Sequence, residues 1–198
     1  MPGFLVVGLG NPGSEYTRTR HNIGFRIVER FAAGHGMTFR RTASVKGRAA
    51  KGVFGPHPVR LLLPETYMNA SGEAVALSLR KWGIEVDHLL IVADDIDLPF
   101  GQLRLKARSG PGTHNGLKSV QSSLGTDAYP RLRVGVGAPE GMDLADYVLS
   151  PFEQDEEEEL PDVVERAVRA IELWIADGLT SAMNSVNKSS SAKPSIGE

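Results

Sequence analysis

Short runs of apolar residues alternate along this chain with segments whose apolar residues recur every three or four positions. The first pattern fits strands and the second fits amphipathic helices. Their alternation specifies an α/β fold, with a twisted mixed central sheet covered by helices on both faces. Strands are expected at residues 4–7, 47–54, 59–63, 89–93, 102–106 and 131–136. The first helix is expected where Ile23, Ile27, Val28 and Phe31 recur, stopping at Gly34 and Gly36. Others are expected at 71–82, 117–124, 142–149, 162–177 and 179–186. A chain of 198 residues with no evident linker reads as one domain over residues 1–186. The polar tail 187–198 is expected to stay disordered.

Composition removes several classes of function. There is no cysteine, which excludes disulfides, zinc–thiolate sites and a cysteine nucleophile. No apolar run approaches the roughly 20 residues that cross a bilayer, so no membrane association is expected. The first residues lack a basic segment and run directly into a strand, unlike a signal peptide. A cytoplasmic setting is the expectation. The net charge of −2 is unevenly spread: residues 1–133 carry 18 Lys/Arg against 10 Asp/Glu, and the remainder 4 against 14. Such a chain either scatters solvated charge over its surface or presents a basic face to a polyanion.

Gly8, Gly10 and Gly13 spell G-x-G-x-x-G after the first strand. A dinucleotide site needs a helix starting within those glycines. Here Pro12-Gly13-Ser14-Glu15 makes a turn instead, and no acid ends a second strand at the required distance. The stretch reads better as a bent loop at a strand's C-terminal end, where α/β proteins place binding sites. His21, at the start of the first helix, is a candidate general base, since a helix N-terminus disfavours the charged imidazole. Asp94, after residues 89–93, is its candidate hydrogen-bond acceptor. Asp94, Asp95 and Asp97 read alternatively as turn-formers or as a Mg²⁺ site. Asn11, Asn69 and Asn115 are either turn residues or amide groups converging on a ligand. Met68 is core or an apolar wall beside Asn69, and Lys106 and Arg133 are surface charges or a phosphate clamp. With no cysteine and no G-x-S-x-G elbow, hydrolysis here would fall to activated water.

Together these segments resemble the bacterial peptidyl-tRNA hydrolase family. The resemblance rests on Val6-Val7-Gly8-Leu9-Gly10-Asn11-Pro12-Gly13, Tyr16, Thr19-Arg20-His21-Asn22-Ile23-Gly24, Pro64–Gly72, Asp94–Pro99, His114–Ser119 and Arg131–Gly137. It implies a hydrolase of the ester joining a peptide to tRNA, with His21 as base and Asp94 as its orienting partner. It further implies that Asn11, Met68, Asn69 and Asn115 bind substrate, that Tyr16 stacks on or positions the tRNA end, and that Lys106 and Arg133 clamp its 5′-phosphate. No metal or cofactor is implied, nor any obligate protein partner, and the family is usually monomeric. The basic part would then meet the acceptor arm and 3′ end of tRNA, with the acidic C-terminal part turned away. Two departures stand out: Pro111 and Thr113 restrict a loop that is usually glycine-rich, and Ala93 stands where a larger side chain is common. Two other classes fit parts of the pattern: an RNA-binding module without activity, and a metal-dependent phosphohydrolase built on Asp94, Asp95 and Asp97.

Overall fold

The computed structural model describes residues 3–189. Seven strands, β1 (Phe4–Gly8), β2 (Arg40–Thr42), β3 (Gly47–Phe54), β4 (His57–Pro64), β5 (Leu89–Asp95), β6 (Leu103–Lys106) and β7 (Arg131–Gly135), form one sheet in the order β2-β3-β4-β1-β5-β7-β6. Strands β4, β1, β5 and β7 are mutually parallel, while β3 and β6 run against their neighbours β4 and β7. The chain crosses from one side of β1 to the other between β4 and β5. The loops after β1 and β5 therefore part and leave a crevice, the preferred location of a site in such sheets.

Alternation along the strands assigns the two cores. Val6, Leu90, Val92, Leu132 and Val134 pack on α1 (Ile23–Gly34) and α5 (Gln154–Asp177). Leu5, Val7, Leu89 and Ile91 face α2 (Ser71–Trp82) and α3 (Asn115–Leu124). A short helix, α4 (Leu144–Val148), precedes α5, and α6 (Leu179–Ser189) packs along α5 and β6. Helices thus cover both faces of a mixed sheet, as the sequence pattern requires.

Several boundaries differ from those read in the sequence. The edge strand β2 is Arg-Arg-Thr, which carries no apolar alternation and went unforeseen. Helix α5 starts at Gln154, eight residues before the expected 162, because the acidic run that reads as solvated charge is its first two turns. Glu153 and Glu156 close a reciprocal capping box, and the acids of the first turn favour the helix dipole. Pro161 lies inside α5 and does not end it. Helix α6 continues through Ser189, so residues 187–189 belong to the folded unit and not to a disordered tail. Asn187 accounts for this: its amide donates to the Leu105 carbonyl and accepts from the Leu105 N–H, fastening the helix to β6. The rest of the expected tail, 190–198, lies outside the described residues.

Acids of α5 lie along α1: Glu156 meets Arg20, Glu157 meets Arg26, Glu165 meets Arg30 and Glu172 meets His35. The acidic C-terminal segment thus covers the α1 face of the sheet and neutralises part of the N-terminal positive excess there.

Candidate active site

The crevice is a cavity of about 430 Å³. Its polar walls come from loops and element ends that lie far apart in the chain, which only the strand order brings together. The first is the loop after β1. Its path is set by two glycines that let α1 approach the sheet backbone to backbone: a Cβ on Gly8 would stand 2.3 Å from the Gly24 carbonyl, and one on Gly24 would stand 2.5 Å from that of Val92. The glycine signature thus serves helix–strand packing, as the bent-loop reading implies, and not a phosphate.

Asn11 follows, 8% exposed. Its backbone N–H donates to Asn22 Oδ1 and its carbonyl accepts from Asn22 Nδ2, each at 2.9 Å. Asn11 Oδ1 accepts from the Met68 N–H at 2.8 Å, which leaves its Nδ2 as a donor at the cavity. Asn22 is the residue that fixes this arrangement, and sequence reasoning passed over it although it adjoins His21.

His21 sits in a 3-10 turn, Arg20–Asn22, that leads into α1. Arg20 anchors this turn: its N–H donates to the Ser150 carbonyl, its guanidinium reaches Ser150 Oγ, the Pro151 carbonyl and Glu156, and it lies over the Tyr147 ring. His21 Nδ1 stands 2.9 Å from both carboxylate oxygens of Asp94 at the end of β5. His114 Nε2 reaches Asp94 Oδ1 at 2.8 Å. Burial alone would lower the His21 pKa, but the Asp94 charge and hydrogen bond outweigh it and raise the value above the usual 6.5. The Asp94 carboxylate thus favours the charged ring, opposite in sign to the helix-terminus effect expected from the sequence. Asp94 is itself fully buried, yet the two histidines hold its carboxyl well below the usual range.

His21, Asp94 and His114 present ligand-type atoms within 4.8 Å of one another. Both oxygens of Asp94 face ring nitrogens at hydrogen-bonding distance, so protons join the three groups. Asp95 is likewise engaged: its Oδ1 accepts from the Asp97 N–H and its Oδ2 pairs with Arg133 Nε at 2.8 Å. Burial raises the Asp95 pKa, against the opposing effects of that N–H and of Arg133. Of the three acids in the Mg²⁺ reading, Asp94 and Asp95 thus have their carboxylate oxygens turned to these partners, while Asp97 contributes its backbone N–H to Asp95.

Met68, buried, and Asn69, exposed, enter the cavity from a 3-10 turn before α2. Asn115 enters from the first turn of α3, and Pro111 and Thr113 line the rim. Leu144, Val148 and Leu149 from α4 and its end supply an apolar side that sequence reasoning did not assign to the site. Tyr16 is not among the lining residues; it is half-buried in a separate turn, Ser14–Tyr16.

Lys106 and Arg133 are on adjacent antiparallel strands. Lys106 is level with Arg131, and Arg104 with Arg133, so the four cations share one sheet face. They are not equally available. Arg133 is bound to Asp95, and Arg131 is wholly buried over the Tyr129 ring, donating to the carbonyls of Gly110 and Asp127. Ala93 is buried among the apolar residues of the α2–α3 side, and its methyl group does not line the cavity.

A family model described as peptidyl-tRNA hydrolase matches residues 5–194. A peptidyl-tRNA hydrolase of Chloroflexus aggregans is 52% identical over 188 residues, covering 93% of this chain and 98% of that one. One from Anaeromyxobacter dehalogenans is 48% identical over 191 residues, covering 95% and 98%. Among solved structures, peptidyl-tRNA hydrolase in complex with n-propanol superposes with a TM-score of 0.89 at 36% identity, over 98% of this chain and 97% of that one. The Acinetobacter baumannii peptidyl-tRNA hydrolase gives 0.88 at 37% identity, over 93% and 94%.

Proposed function

The chain belongs to the peptidyl-tRNA hydrolase family, and on that premise we propose that His21, oriented by Asp94, activates the water that cleaves peptidyl-tRNA in this crevice. The protein is a hydrolase of the ester bond of peptidyl-tRNA. The observation that carries the residue assignment is the buried pair itself. With Nδ1–H directed at Asp94, the second ring nitrogen, Nε2, is left to take a proton from water.

The water oxygen attacks the carbonyl carbon at the peptide's C-terminus, and the Asn11 Nδ2 donor stabilises the oxyanion that develops. The C–O bond to the terminal ribose then breaks. The proton held on His21 passes to the leaving hydroxyl, giving free peptide and tRNA with only water consumed. Asp94 stays ionised and stabilises the imidazolium formed on the way. A positioned base contributes about 10²–10⁴-fold, which is substantial for an ester already activated by its ribose.

Asn69, Asn115 and Met68 would hold the peptide end and the terminal nucleotide, and Tyr16 would act outside the cavity by stacking on the tRNA. Lys106 and Arg133 would meet the 5′-phosphate on the face away from α5. The same reading makes the enzyme a cytoplasmic monomer that recycles peptidyl-tRNA lost from stalled ribosomes; light scattering checks the monomer. Among the described residues no helix is long and apolar enough to cross a membrane.

The assay is release of N-blocked amino acid from N-blocked aminoacyl-tRNA. His21→Ala is expected to abolish cleavage while tRNA binding survives. Turnover retained by the variant removes His21 as the base.

A further inference from the structure

Proteins seldom cap a helix with histidine, yet His114 is the N-cap of α3. Its Nδ1 accepts from the N–H groups of Gly116 and Leu117, at 3.1 and 3.2 Å. A nitrogen that accepts two N–H donors carries no hydrogen of its own. The ring proton of His114 must then be on Nε2, the atom 2.8 Å from Asp94 Oδ1. A second proton would have to go onto Nδ1, against two backbone donors at the positive end of a helix dipole. Helix capping therefore imposes one tautomer on this side chain.

From this geometry we infer that His114 is a positioning residue, a neutral Nε2–H donor locked by the α3 cap, which fixes the Asp94 carboxylate and limits how strongly it holds the proton on His21. The two rings are in contact, with centroids 4.8 Å apart, and compete for one carboxylate. Each N–H that Asp94 accepts stabilises its charge, so less of that charge falls on His21. Without the His114 donor, Asp94 would retain the proton on His21 to higher pH, and less base would be free.

Few other charges face this cluster. Asp95 from β5 and Arg133 from β7 are paired with one another, and Asp97 follows β5. Asp143 comes from the segment before α4, and Arg20, beside His21, is turned onto Glu156. None of these changes when His114 is substituted, so a change in His21 titration reports on His114.

The inference rests on His21 as the base for its catalytic meaning, but its test does not. Two substitutions divide the ring's functions. In His114→Asn the amide can still cap α3 from the Nδ1 position but is too short to reach Asp94. In His114→Gln the amide nitrogen replaces Nε2 and the cap is lost. The experiment is an NMR titration of the His21 and His114 rings in the substrate-free full-length chain, alongside pH profiles of kcat/KM on N-blocked aminoacyl-tRNA.

In the parent, the neutral His114 ring is expected to carry its hydrogen on Nε2 and not on Nδ1. His114→Asn is expected to move the His21 titration upward. It should lower kcat/KM by about three- to tenfold on the acidic limb and leave it within about twofold on the plateau, as expected when only the fraction of free base changes. His114→Gln is expected to melt lower with the His21 titration unmoved. Protonation of Nδ1 in the parent overturns the inference without any variant. So does a folded His114→Asn whose His21 titration is unchanged, or a His114→Gln that shifts it equally. A shifted titration with an unshifted acidic limb supports the role of His114 and counts against His21 as the base.

Discussion

A general base acts only from its neutral form, so the pKa of His21 sets the acidic limb of activity. Because Asp94 raises that pKa, kcat/KM is expected to fall on the acid side with a midpoint above 6.5, and Asp94→Asn to move the midpoint down as well as reduce the plateau. A pH profile of both enzymes checks this; a parent midpoint below 6.5 contradicts it. The stability linkage has a definite sign. A raised folded-state pKa means that the His21–Asp94 contact contributes fully below the unfolded-state value, and that this contribution is lost as pH rises through the folded-state pKa. At this scale the sequence revealed chemistry but not allegiance. His21, Asp94 and the three asparagines stand out by residue type and loop position. Asn22 and His114 do not, because a side chain that holds another group in place has no spacing signature of its own.

Among the elements, α5 illustrates how packing overrides a local signal. Pro161 has no N–H to offer the carbonyl of residue 157, and its ring costs an interior helix up to ~3 kcal/mol. The helix nevertheless continues, held by Leu160, Val163, Val164, Ala167 and Ile171 in the core and by its ion pairs with α1. Pro161 is exposed, so Pro161→Ala loses little packing. It should restore a hydrogen bond, partly offset by a more flexible unfolded chain. A gain of about 1–2 kcal/mol, seen as a rise in Tm of roughly 2–8 °C, is expected in a thermal melt; a lower Tm would contradict it. The α2–α3 contact shows the converse. Gly72 lets the two helices approach so closely that a Cβ would stand 2.1 Å from the Ser119 carbonyl, and the sequence shows the glycine but not the partner that requires it.

Over the whole molecule, the separation of charge becomes a separation of faces. Cations on α1 are matched by α5, whereas Lys106 and Arg104 stand on the β6–β7 edge of the other face with no ion pair to a described residue. Lys106→Ala is therefore expected to reduce the slope of log binding constant against log salt for tRNA by about 0.7–0.9, the signature of one lost phosphate contact. Arg30→Ala, which removes a cation already paired with Glu165, should leave the slope unchanged. Equal slopes for all three proteins would remove Lys106 from the contact. Composition and periodicity determined the class of fold, most element positions and the residue types available for catalysis, because these depend on short stretches of chain and on which side chains repel water. Only the tertiary structure decided which of those residues meet. The crossing of the chain over β1 brings Asn11, His21, Asp94 and His114 together from positions as much as 103 residues apart, and the direction in which each proton points depends on neighbours that no local pattern encodes.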